Sequence, residues 1–158
     1  MRWTNSGSLK SQGNTLLYSG GDKHECGVAF VIRDNVATNI VRFQPISDRI
    51  CYIELKCKWY YMFLINCYAP TEDKSDDIKY KFYEDLVCNT LPVDKPKIIF
   101  EDFNAKIGKE NIYKPTTGSE SLHEITNDNG NKLITFATVK NMTISNTYFS
   151  HKNIHQQI

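Results

Sequence analysis

Residues 97–104 read KIIFEDFN: Lys97, three apolar residues, then Glu101, Asp102, Phe103 and Asn104. An apolar run this short, entered from Pro96, reads as a buried strand that delivers the polar residues at its end to the rim of a sheet. If the strand continues through them, Asp102 and Asn104 point to one side and Phe103 to the other. A carboxylate beside a neutral amide suits phosphodiester hydrolysis. The carboxylate can orient or deprotonate water and hold a hard cation, while the amide donates to phosphate oxygen. Asp and Asn just past a strand are also ordinary turn formers, and for an isolated D-x-N that is the commoner reading.

Upstream, residues 60–68 (YYMFLINCY) form a second, almost continuously apolar run, ended by Ala69-Pro70-Thr71 because proline cannot donate to a ladder. This strand is expected to be central, paired through a turn at Cys57-Lys58-Trp59 with a strand over residues 49–56. It places the phenol of Tyr68 at a strand end, where it can donate to charge developing on a phosphate; an aromatic packed at the sheet edge is the plainer reading. Between the two runs, from about Ser75, Ile78, Phe82 and Leu86 with Tyr83 and Val87 predict an amphipathic helix stopped by Pro92.

Earlier still, residues 27–32 (GVAFVI) read as a largely buried strand, with a further extended stretch over residues 36–43. Residues 1–24, rich in Ser, Gly, Asn and Thr, are expected to be poorly ordered, with ordered structure starting near Cys26. Downstream, residues 110–126 are polar and irregular. Asp128 is the expected N-cap of a helix over residues 129–140 that buries Leu133, Ile134, Phe136 and Ala137, followed by a short strand over residues 143–146. Strands alternating with two helices predict an α/β layered domain over residues 25–150, with mixed, largely antiparallel sheets and a polar tail over residues 151–158.

The chain has 158 residues, 41% apolar and 23% charged, enough for one domain with a sizeable core. Its net charge of +1 gives no bulk drive toward nucleic acid, so any such contact is local. The five cysteines are odd in number and show no C-x-x-C spacing, which argues against a disulfide framework or a zinc ribbon and for buried, reduced thiols. With no apolar leader and no membrane-length run, an intracellular, non-secreted protein is expected.

Taken in order, GVAFVI, NCYAPT, an amphipathic helix and IIFEDFNAKIG resemble the endonuclease/exonuclease/phosphatase superfamily. The resemblance is to its non-LTR retrotransposon endonuclease–reverse transcriptases and the craniofacial development protein 2-like group, and it runs from Tyr18 to His155. It implies a four-layer α/β sandwich, a magnesium ion and DNA as partner, cleaved at a phosphodiester to leave a primer end. By position, Tyr68 matches the tyrosine that hydrogen-bonds the scissile phosphate. Asp102 matches the aspartate that orients or activates water, and Asn104 the asparagine that positions the phosphate and approaches a metal. A nicking role implies access to chromosomes in the nucleus, although no compact basic import cluster is present. Neither a membrane nor an obligate protein partner is implied.

The pattern departs from that family in three places. Its members open with a strand carrying an active-site Asn and then a metal-binding Glu, neither of which is found before Gly20. They close with Ile-Asp-His and Ser-Asp-His segments that this sequence does not contain, so a domain truncated at both ends is expected. The usual glycine before the aspartate is Glu101, which brings a second carboxylate beside Asp102. Asp102 and Asn104 would thus make a weak, incomplete metal site. Because catalytic groups act as a unit, little or no activity is expected from the chain alone. A non-catalytic remnant that binds nucleic acid or a partner is the rival reading, and a phosphatase of the same superfamily a further one.

The remaining candidates have plainer readings. His151 and His155 could make half a metal site but read as a solvated tail, and His24 and His123 lie in polar loops. Trp59, Tyr60 and Tyr61, near Lys56 and Lys58, could stack on unpaired bases, with core packing in a hairpin the commoner alternative. The Asn141-Met142-Thr143 sequon carries no function without a secretory signal.

Overall fold

The computed structural model describes residues 3–86 and 91–150. The chain divides into two compact units: Met1–Ala69 with Asp76–Glu101, and Pro70–Ser75 with Asp102–Ile158. The fold is of the expected α/β class, an α/β sandwich with largely antiparallel sheets.

The first unit opens with a hairpin of β1 (Ser6–Ser11) and β2 (Asn14–Gly20), which pairs on with β3 (Gly27–Arg33) in an antiparallel sheet. This corrects the expectation of a poorly ordered segment before Cys26. The two-residue turn is made by Gln12 and Gly13, both at positive φ (50° and 75°), the twist that closes a tight hairpin. Alternate residues of β2 point inward, and two of the three are polar: Thr15 and Ser19 flank Leu17. Each has a partner, since the Thr15 hydroxyl donates to Asp34 Oδ1 at 2.8 Å and that of Ser19 to the Ser47 carbonyl at 2.7 Å.

After a short α1 (Asp34–Ala37), strands β4 (Ile40–Ser47), β5 (Ile50–Lys56) and β6 (Tyr61–Tyr68) form an antiparallel meander. The stretch expected to be extended from Val36 is therefore helical at its start. The first sheet lies against this second one, with β2 and β3 meeting β4, β5 and β6. Asn66 crosses between the sheets, donating its side-chain amide to the Ala29 carbonyl at 2.8 Å. Ile50, Cys51, Tyr52 and Ile53 are all buried, so both faces of β5 are covered, while β6 buries alternate residues Phe63, Ile65 and Cys67. Tyr52 and Phe63 meet edge to face at 5.7 Å.

Helix α2 (Asp76–Leu86) then leads back to β7 (Lys97–Asp102), which lies beside β6, so that β6 is interior as expected. The buried side of α2 carries Lys79, Phe82 and Leu86, while Ile78 is 46% exposed. The helix is thus rotated by about one residue from the predicted stripe; Val87 lies outside the described residues. On β7, Ile98 and Phe100 are 44% and 49% exposed, which corrects the expectation of a buried strand. The Glu101 side chain is outside the described set.

In the second unit, α3 (Asp128–Val139) buries Leu133, Ile134 and Ala137 together with Ala105 and Ile107. Its N-cap is Asn127, one residue before the predicted Asp128, and the Asn127 side chain accepts from the Gly130 N–H at 2.8 Å. The strand expected over residues 143–146 is a single parallel bridge between Thr117 and Ile144, followed by a 3-10 turn at Ser145–Thr147.

Candidate functional site

Tyr68 closes β6 in the first unit. The antiparallel register that sets Lys56 opposite Tyr61 and Ile50 opposite Cys67 continues to set Arg49 opposite Tyr68. The Tyr68 N–H donates to the Arg49 carbonyl at 2.9 Å, and Arg49 Nη1 returns a bond to the Tyr68 carbonyl at 3.2 Å. The guanidinium carbon stands 5.2 Å from the centre of the phenol ring. A half-buried phenol beside a fixed cation can support negative charge on a neighbouring oxygen. Arg49 was not singled out from the sequence, yet laying the hairpin register back from the Cys57–Tyr60 turn leads directly to it.

Asp102 and Asn104 lie in the second unit, and each unit's geometry stands by itself. Asp102 is exposed at the last position of β7, and Asn104 follows with φ of 47°, in the left-handed region that Asn tolerates. The chain therefore turns instead of continuing extended, so strand alternation does not align the two residues. They are brought together by the Asn104 N–H, which donates to Asp102 Oδ1 at 3.1 Å. This is the turn geometry that the plainer reading anticipated.

The loop beyond Asp102 is laced to the start of α3. Asn129, buried at 3% exposure, donates its amide to the carbonyls of Asn104 and Pro70, at 3.0 Å each. Asn127 Oδ1 also accepts from the Lys106 N–H at 2.9 Å, and its amide donates to Glu72 at 2.8 Å. Gly130 lets the helix press on this loop, for a Cβ there would stand 2.2 Å from the Lys106 carbonyl oxygen. These three residues were missed because their role depends on contacts far apart in sequence. Elsewhere in the same unit, partial desolvation opposes ionisation of the half-buried Glu110. Bonds from the Thr126 N–H and hydroxyl, 2.8 Å each, outweigh desolvation and hold the carboxyl below its usual range.

A hard cation takes about six oxygen ligands. Among the described residues no group of three or more His, Cys, Asp or Glu is placed to hold a metal. Asp102 offers one carboxylate, with one oxygen already accepting from Asn104. This donor set does not fit a self-sufficient magnesium site. His24 is exposed and His123 half-buried, and His151 and His155 lie outside the described residues. Trp59, Tyr60 and Tyr61 are 81%, 50% and 39% exposed, which corrects the expectation that they pack in the core.

Over 152 residues, 94% of its length, the chain is 30% identical to one protein of Bos taurus and to one of Tragulus javanicus. Both are craniofacial development protein 2. The chain spans about a quarter of these curated relatives, 25% and 26% of their respective lengths. No protein-family model matches the sequence. The similarity to craniofacial development protein 2 covers both units, and with them Tyr68, Asp102 and Asn104. No helix among the described residues is long and apolar enough to cross a membrane.

Proposed function

We propose that the chain is the phosphate-handling part of a DNA phosphodiester-cleaving domain of the retrotransposon endonuclease type, and that it cleaves weakly or not at all by itself. The observation that carries this reading is the Asp102–Asn104 turn. It presents an exposed carboxylate that accepts from the Asn104 backbone N–H, and the Asn104 carbonyl is held by the buried Asn129. A solvated carboxylate there can orient or deprotonate water, and an asparagine amide can donate to a phosphate oxygen. Tyr68, its ring beside Arg49, is the proposed phenol donor.

The donor set favours a second reading, a non-catalytic remnant that binds DNA without cutting it. A magnesium ion held at Asp102 would need further oxygen ligands from outside the described residues or from another chain. Nicking of supercoiled plasmid by the purified chain, with magnesium, EDTA and Asp102→Ala arms, separates the readings. Slow nicking abolished by EDTA and by the substitution supports the first; no nicking by folded protein at any magnesium concentration leaves the second.

A further inference from the structure

The tip of the β5–β6 hairpin gathers exposed aromatic and lysine side chains. The turn itself is Cys57, Lys58, Trp59 and Tyr60, closed by the Cys57 N–H donating to the Tyr60 carbonyl at 2.8 Å. Trp59 is 81% exposed, although a large ring in water forfeits the burial that aromatic side chains usually supply. Tyr60 and Tyr61 accompany it at 50% and 39% exposure.

Cations are interleaved with these rings. Lys58 Nζ stands 4.7 Å from the Trp59 ring centre and Lys95 Nζ 5.0 Å from that of Tyr61. Lys56 is exposed directly across the ladder from Tyr61. Lys95 is partly neutralised by Glu54 at 3.1 Å, which leaves Lys56 and Lys58 as the main positive charges at the tip.

We infer that this tip is a stacking platform for unpaired bases of single-stranded DNA, with Trp59 and Tyr60 taking the bases and Lys56 and Lys58 the phosphates. Flat aromatic faces bind any splayed base, and ammonium groups beside them match the backbone charge, which together make a sequence-tolerant single-strand site. The bases of a duplex are already stacked on each other and cannot lie on these rings. A bilayer is disfavoured because the turn holds no aliphatic side chain to insert into acyl chains. Tyr68 is at the far end of the same strand, roughly 20 Å away at the ordinary rise per residue. The platform is therefore distinct from the proposed phenol donor and does not depend on cleavage.

The test is fluorescence titration of the whole chain in EDTA, where cleavage plays no part, on a Trp3→Phe background so that Trp59 alone reports. A short oligothymidylate should quench the signal, while duplex of equal length should bind at least several-fold more weakly. By anisotropy of labelled oligonucleotide, Trp59→Ala and Tyr60→Ala should each weaken binding roughly ten-fold. Lys58→Ala should lower the slope of log affinity against log salt by about 0.7. Exposed side chains can be removed without unfolding, so unchanged circular dichroism is the check on each variant. Three results would overturn the inference: no quenching of folded protein, affinity indifferent to Trp59→Ala, or a response to phosphatidylserine vesicles in place of oligonucleotide.

Discussion

Asn129 donates to the carbonyl of Asn104 at 3.0 Å, so a buried amide on α3 fixes the backbone of a residue held in the left-handed region. The same amide bonds Pro70, which makes one side chain the junction of two loops and the helix of the second unit. Asn129→Ala leaves both carbonyls without this donor, at an expected cost of about 1–3 kcal/mol. A lowered urea midpoint with unchanged slope is the expected readout. An unchanged midpoint would show that neither carbonyl depends on the amide.

Gly130 follows in the first turn of α3. By helix propensity alone Gly130→Ala should stabilise by roughly 1 kcal/mol. The Cβ would instead meet backbone at Lys106 and the Thr126 methyl carbon at 2.2 and 2.6 Å, contacts that only movement of the loop can relieve. The expected result is net destabilisation of about 1–2 kcal/mol, seen as a lower thermal midpoint. A raised midpoint would mean that the loop yields at little cost.

Glu110 predicts a pH dependence. Its folded carboxyl ionises below the ordinary value of 4.5, so its contribution is full above that value and is lost as pH falls through the lower folded one. Glu110→Gln should therefore be less stable than the parent near neutrality, and the two should converge in acid. Urea unfolding of both proteins across that range measures the gap, and a gap independent of pH would assign the loss to packing.

Thiol reactivity should divide by burial. Burial pushes the Cys51 thiol up to about 12, so it remains protonated and shielded, whereas Cys26 and Cys57 are partly exposed. On a Cys88→Ser background, iodoacetamide at mildly alkaline pH should label Cys26 and Cys57 first. Cys51 should react at the rate of global unfolding, as peptide mapping over time would show.

The elements legible in the sequence are those whose hydrophobic pattern matches their burial. β5 and β6 carry near-continuous apolar runs, and α3 shows its helical stripe, whereas β3, expected to be largely buried, buries only Val28 and leaves Val31 72% exposed. The first hairpin was not legible because Thr15 and Ser19 occupy inward positions of β2, and Gln12-Gly13 is not among the commonest turn pairs. Lys79 hid the rotation of α2 in the same way, a long cationic side chain taking the place that Ile78 was expected to fill. In the candidate site, Asp102 and Asn104 are neighbours in sequence and could be read as a pair. Asn127, Asn129 and Gly130 act through partners many residues away, which no local pattern discloses, whereas Arg49 follows from the register of the β5–β6 hairpin. The tip aromatics invert the case: their composition was read correctly and their location was not.

The two outer strands of the second sheet are finished differently. Along β4 the register slips twice and Pro45 removes a donor, features that discourage another chain from adding itself there. β7, at the other side, presents Ile98 and Phe100 to solvent. The sheet is therefore polarised for growth: concentrated chain should associate through the β7 side and remain blunt at β4, so a charge placed at Ile98 or Phe100 is where solubility would be gained.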